Sequence, residues 1–344
     1  MQQFKKSILA LAENLTFDNS FERLGLDKGV IGMIFTAFSL YEYTSDEKWK
    51  NLAQQSFSFL EKKYDTIRDT SFRNGAIGIG WGIESLSHLK YLNLNTDEYL
   101  VDFDNLAYKL SLASKSLNLS LDDGCLGIFS YITKRYDSRN FKTHRFKRIY
   151  YQDCLVMLSN RINSYIKIIL ADIDNIGMDE LNDLCNVLTI FSSFYDYQIN
   201  KPIVEEIIYS TVTLLYKFSD SNILINPMEK GSKTLLLLNI NYSLIFAGIK
   251  FNSDKWFNKG KENFVNYYQN ICSIDNNLLL KIVSVVSKAQ YCLTGYDLLD
   301  TNVNEIAKFI QSDWSFANDK CALIRYMISL DKPSTLPLAN LLYI

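Results

Sequence analysis

FRNGAIGIGWGIESL, residues Phe72 to Leu86, is the stretch whose reading decides the fold. Gly75, Gly78 and Gly82 fall at i, i+3 and i+7, with Gly80 between them. One glycine inside a helix costs about 1 kcal/mol relative to alanine. Four within eight residues therefore need a structural reason. On a helix, Gly75, Gly78 and Gly82 share one face and leave it bare, open to a close backbone or ligand. The same signature stands at Gly25, Gly29 and Gly32 (GLDKGVIG) and at Gly124 and Gly127 (GCLG). An apolar, aromatic run follows each time, which reads as a repeat.

Working outward, each Gly-rich run opens a helical hairpin. GVIGMIFTAFSLYEY is an apolar helix. Thr44-Ser45-Asp46-Glu47 then has the form of a capping box and starts an amphipathic helix carrying Trp49, Leu52, Ala53, Phe57 and Leu60. The second unit repeats this, with Asn95-Thr96-Asp97-Glu98 as its cap. The third runs from Asp122 through CLGIFSYITKRY to an outer helix over 149–170. Later units lose the glycines: nine of the fourteen lie before residue 128. The fourth is LNDLCNVLTIFSSFYDY (181–197) with its outer helix over 202–218, and the fifth is TLLLLNINYSLIFAGIKF (234–251) with a Trp256 helix. The sixth is NNLLLKIVSVVSKAQYCLTGYDLL and the seventh FANDKCALIRYMI. Residues 1–20 form a lead-in helix. Seven hairpins at intervals of about 40–55 residues match helical-pair repeat architectures. Very apolar inner helices favour closure into a ring over an open solenoid, so the expectation is an all-α, α/α toroid in a single domain over 1–344.

Composition agrees. The chain is 48% hydrophobic and 22% charged, with only four prolines, as suits a helical protein with a large core. A formal charge of −2 gives no field that points to nucleic acid. The six cysteines form no CxxC and no dense framework, which implies reduced thiols. No signal peptide and no membrane span is read, so the protein is expected to be cytoplasmic.

GLDKGVIGMIFTAFSLYEYTSDEKW, NGAIGIGWGIESL and GCLGIFSYITKRY resemble the first three repeats of the lanthionine synthetase C-like proteins, the cyclases of lanthipeptide biosynthesis. The resemblance implies a ring of seven inner helices within seven outer ones. It also implies a zinc held by two Cys and one His, from a WCYG motif in the fifth unit and a CHG motif in the sixth, with an HG motif in the fourth. Registered by the caps that follow each inner helix, Thr234 stands in the first Cys position, Asn277 and Leu278 stand for Cys-His, and Asn186 stands for the fourth unit's His. The only histidines are His88 and His144. The expectation is that no zinc and no other cofactor is bound, and that the protein is a non-catalytic peptide-binding or scaffold partner. Its partners would be a precursor peptide, a dehydratase or another peptide-modifying enzyme. An active cyclase and a metal-free toroid hydrolase acting on carbohydrate are the alternatives.

Several residues have two roles open. Gly78, Glu84, His88, Asp122 and Asp123 lie near Gly-rich helix starts, where a cavity would open. The carboxylates could serve acid/base work, or Asp122 and Asp123 could cap the third inner helix. His88 follows Glu84 by one turn and has no nucleophile beside it in sequence, so a core or rim position is the simpler role. The basic stretch from Lys134 to Arg148 holds Lys134, Arg135, Arg139, Lys142, Arg145, Lys147 and Arg148. It could bind an acidic leader peptide or be a solvated loop. Cys272 and Cys292 could ligate a metal or simply be small buried residues.

Overall fold

The helices of this protein come in two kinds, and burial separates them. In the computed structural model the described residues are 2–13, 15, 23–26, 29–113, 118–138, 145–220 and 230–269, with positions 282, 284–286, 288, 289, 292, 321, 324, 325, 327 and 328. The elements are α1 (Gln2–Glu13), α2 (Val30–Thr44), α3 (Glu47–Lys63), α4 (Ala76–His88), the single turn α5 (Thr96–Tyr99), α6 (Val101–Leu112), α7 (Cys125–Tyr136), α8 (Arg145–Ala171), α9 (Met178–Phe194), α10 (Lys201–Phe218), α11 (Lys230–Lys250) and α12 (Asp254–Gln269). No strand occurs among the described residues. Helices α2, α4 and α7 are apolar and largely buried, α9 and α11 are apolar and buried over more than half their length, and each is followed by an outer helix buried on one stripe. The first five hairpins are thus present as read; the sixth and seventh lie largely outside the described residues.

Contacts divide the chain into two compact units, Met1–Ile67 with Ile274–Ile344, and Arg68–Ser273. In the first, Thr36 Oγ1 on α2 donates to the Cys321 carbonyl at 3.1 Å, and Arg325 Nη1 donates to the Gly32 carbonyl. In the second, α4 packs on α7, α9 on α11, and α11 on α12.

The glycines have a specific cause. Gly29, Gly75 and Gly124 are the N-caps of α2, α4 and α7, and none of these helices has a side-chain cap. Their free N–H groups are met by the loop just before. The N–H of Val30, Ala76 and Cys125 each donates to a carbonyl seven residues back, on Arg23, Asp69 and Asn118, at 3.1, 2.8 and 3.0 Å. Two turns shape that loop: Asp69 Oδ1 accepts from Ser71 N–H, and Asn118 Oδ1 from Ser120 N–H. The loop crosses the cap residue so closely that a Cβ on Gly75 would lie 2.5 Å from the Asp69 carbonyl oxygen. One on Gly124 would lie 2.6 Å from that of Asn118. The backbone at both caps is extended, φ −110° and −116°. Glycine is therefore required by proximity, not by conformation. A backbone loop thus supplies what side chains normally supply at a helix N-terminus.

Two boundaries differ from the sequence reading. The first outer helix is capped by Asp46, whose side chain accepts from Lys48 N–H at 3.0 Å; Thr44 Oγ1 instead donates to the Leu40 carbonyl and closes α2. Ser45 takes the left-handed conformation, so the chain turns there before the helix can start. Asp122 and Asp123 cap nothing: Gly124 is the N-cap of α7. Asp122 instead ties the second and third cap loops together, accepting from Arg73 N–H through its side chain and from Phe72 N–H through its carbonyl.

Helix α11 also departs from the expectation that no segment could span a membrane. Ser232–Lys250 is long and apolar enough by length and composition, with mean hydropathy 1.2, and 67% of it is buried inside the protein. Packing against α9 and α12 accounts for its apolar character. Gly260 lies so close to α11 that a Cβ there would sit 2.7 Å from the Asn241 carbonyl oxygen.

Candidate functional site

Arg135 continues the buried stripe of α7 that runs through Ile128, Tyr131 and Ile132. Its side chain is fully enclosed and faces three carboxylates. Nη1 donates to Glu84 on α4, Nη2 to Asp97 on α5 at 3.0 Å, and Nε and Nη2 to both oxygens of Asp104 on α6 at 2.8 and 2.9 Å. Tyr131 OH adds a bond to Asp104, and the guanidinium lies over the Tyr151 ring. Burial opposes the charge on Arg135, but the bonds and charge of Asp104 outweigh it and hold the guanidinium well above its ordinary pKa. Burial, with Asp104 adding, pushes the Tyr131 phenol upward too.

This changes the standing of two sequence candidates. Arg135 leaves the basic surface stretch, because a wholly buried guanidinium cannot meet a peptide. Glu84 is a buried partner of that guanidinium, not a poised acid or base. His88 sits half-buried in the last turn of α4, and Gly78 is buried within that helix. Asp122 is half-buried and Asp123 exposed, where it accepts from Asn118 Nδ2. Of the basic stretch, Lys147 donates to the Asp97 carbonyl at 2.7 Å, and exposed Arg148 stacks on Tyr136 at 4.8 Å. Lys134 is half-buried near the end of α7, and Arg145 is the first residue of α8. Arg139 and Lys142 lie outside the described residues, as do Asn277 and Leu278.

Asn186 and Thr234 are the two described positions that the resemblance connects to zinc chemistry. Asn239 Nδ2 on α11 donates to Asn182 Oδ1 on α9 at 3.3 Å, and Ser243 Oγ donates to the Cys185 carbonyl. Both residue numbers rise together across the contact, so α9 and α11 run parallel. In this register Asn186 is level with Ser243, whereas Thr234 is level with the helix start near Gly177. At 1.5 Å per residue the two are roughly 13 Å apart along the helices. The structure does not bring them together. The reason is helix length: α2, α4, α7, α9 and α11 have 15, 13, 12, 17 and 21 residues. Counting back from the following cap therefore misplaces the helix start. The N-caps Gly29, Gly75, Gly124 and Gly177 give the consistent register.

Beside that start, sequence reasoning missed Asp183 on α9. Burial raises its pKa to about 6, opposed by a bond from the Leu121 backbone and assisted by Asp179, Glu180 and Asp123. Asp97 and Asp104 were missed as well. Their signal was present: acidic residues on an outer helix whose neighbours Phe103 and Ala107 are core. Burial pushes the thiols of Cys125, Cys154 and Cys185 upward, Cys185 to about 12. No group of three or more His, Cys, Asp or Glu placed to hold a metal occurs among the described residues.

The family model described as "Lanthionine synthetase C-like protein" matches residues 20–167. No curated protein matches the chain. Among solved structures, nisin cyclase is similar with a TM-score of 0.66 and 13% identity, over 99% of this chain and 97% of that one. At that identity the likeness concerns the fold alone, and it bears out the all-helical α/α toroid class expected from the repeats.

Proposed function

We propose, from the match of residues 20–167 to the lanthionine synthetase C-like family model and the likeness in fold to nisin cyclase, that the chain is a zinc-free, non-catalytic partner that binds the precursor peptide in a pathway modifying ribosomal peptides. One observation carries this reading: the residues at the family's metal positions offer no thiolate and no imidazole. With Gly177 taken as the glycine of the HG motif, Ile176 stands where the His would be, so the corrected register leaves the conclusion drawn from Asn186 intact. Thr234, Asn277 and Leu278 supply at best neutral oxygen or amide donors, which suit zinc poorly. The two histidines, at 88 and 144, lie in other units. Cys292 is a half-buried thiol that desolvation pushes up to about 12.

What the chain's own residues could do is hold and present a peptide. A precursor peptide would be shared with a dehydratase or another modifying enzyme, for which this protein would be the scaffold. The family relation itself favours the second reading, an active cyclase. The carbohydrate hydrolase loses its buried carboxylate candidate, because Glu84 is engaged by Arg135.

The test is made on purified protein. Elemental analysis should find far less than one equivalent of zinc, and incubation with a dehydrated, cysteine-containing precursor should leave its thiols free while the peptide still binds. Stoichiometric zinc together with thioether formation would refute the proposal in favour of the cyclase.

A further inference from the structure

We infer that the outer faces of α6 and α8 form the interface of a two-fold dimer of this chain, a reading independent of the peptide-binding one above. Eight large apolar side chains are exposed among the described residues, and six of them lie on these two neighbouring helices: Val101, Tyr108, Leu112, Phe146, Ile149 and Ile168. Phe146 is 87% exposed and Ile168 66%. On α6, Val101, Tyr108 and Leu112 recur at helical spacing and share one stripe. That stripe adjoins α8, because the Tyr108 ring packs on Tyr150 with centroids 4.7 Å apart. The exposed parts of the six amount to about three whole side chains, on the order of 500 Å² for large apolar residues. A patch of that size is near the upper end of what a monomer leaves bare. A standard interface buries about 800 Å² per partner, and in homodimers about two thirds of it is apolar. The patch matches that need.

What points to a second copy is the symmetry of the patch. Lys147 Nζ donates to the Asp97 carbonyl and Arg161 Nη2 to the Ser111 carbonyl, and each bond joins residues 50 apart. Helices α6 and α8 therefore run parallel, with a residue of α6 level with the one about 50 further along in α8. On α6 the outermost exposed apolar residues are Val101 and Leu112, whose midpoint lies beside Ala107. On α8 they are Phe146 and Ile168, whose midpoint is Met157. Ala107 and Met157 are again 50 apart, so both pairs are centred on one line across the two helices. A two-fold axis along that line lays α6 on α6 and α8 on α8, antiparallel. It sets Val101 of each copy over Leu112 of the other, and Phe146 over Ile168. Charge agrees. Exposed Asp102 and Lys109 flank the α6 stripe on either side of the line, so antiparallel copies bring unlike charges together. An anionic lipid surface would be opposed by Asp102 and by exposed Asp153.

The experiment is sedimentation velocity with light scattering on the full-length protein over a wide concentration range. Twice the mass of the chain is expected at micromolar protein, with reversible dissociation on dilution. Phe146→Asp/Ile168→Asp should raise the dimer dissociation constant about a hundredfold, because each copy would then bury carboxylates without partners. Circular dichroism and thermal melts of the dilute monomer should be unchanged by that pair, since both side chains already face water. The geometry is read with a short bis-maleimide, the wild type controlling for native thiols. Asn105→Cys, close to the axis, should give covalent dimers. Ile168→Cys should not, because its two copies would lie roughly 33 Å apart along the helices at 1.5 Å per residue. The dimer is overturned if the wild type stays monomeric at high micromolar concentration, if the aspartate variant associates as the wild type does, or if Ile168→Cys crosslinks as readily as Asn105→Cys. A monomer that instead pellets with phosphatidylglycerol vesicles, and ceases to in the aspartate variant, overturns it in favour of a lipid surface.

Discussion

Arg135 Nη1 donates to Glu84 Oε2 between two inner helices, with both side chains shut off from solvent. With Asp97 and Asp104 this makes one cation serve three buried carboxylates. The guanidinium spans them because its donors lie in a fixed plane. Removing it strands the carboxylates, and breaking a buried pair costs about 3–5 kcal/mol. Arg135→Met should therefore lower the urea midpoint sharply, and Arg135→Lys should recover little, since an ammonium cannot reach three partners. A loss below about 1 kcal/mol, typical of an exposed pair, would show that the cluster is solvated.

The cap glycines divide by what surrounds them. At Gly75 and Gly124 a Cβ meets loop backbone, whereas at Gly177 it meets the end of the Glu180 side chain, 2.5 Å away. Backbone cannot move aside cheaply; a side chain can. Gly75→Ala and Gly124→Ala should each destabilise by about 1–3 kcal/mol. Gly177→Ala should stay within about 0.5 kcal/mol, as ordinary surface changes do. Thermal melts of the three variants decide it. Equal effects would mean the loop is not the constraint.

Asp183 gives a pH dependence with a definite sign. Its folded pKa of about 6 lies above the unfolded value near 3.8. Between these values the folded state binds the extra proton, so stability falls as pH rises through roughly 4 to 6. Asp183→Asn should flatten that fall and stabilise the protein at pH 8 by about 1 kcal/mol, a figure reduced for the solvent that still reaches this side chain. Little difference is expected at pH 4. An unchanged pH profile by chemical denaturation would remove Asp183 as the source.

The basic stretch should act through what remains of it at the surface. Arg148 is exposed and Lys147 half-buried. Arg148→Glu should weaken binding of an acidic leader peptide several-fold at low salt, with the difference shrinking as salt is raised. Arg148→Glu that binds the leader as wild type does at low salt would leave the stretch as a solvated helix end.

The repeat, the hairpins and the helical class were determined by the sequence itself, because glycine spacing and apolar periodicity are local signals. GLDKGVIG, NGAIGIG and GCLG hold the N-caps Gly29, Gly75 and Gly124, and the apolar runs after them are the buried helices. The reason for those glycines was decided only by tertiary structure, since it is the approach of a loop seven residues upstream and not the bare helix face. Arg135 shows the limit most plainly. In sequence it is one of seven basic residues between Lys134 and Arg148, and composition makes that run a surface. Its carboxylate partners lie 31, 38 and 51 residues away, and only folding could show that the charge turns inward. The level of Asn186 against Thr234 was equally out of reach. It depends on how far each helix extends before its turn, which packing between α9 and α11 sets and no local pattern records.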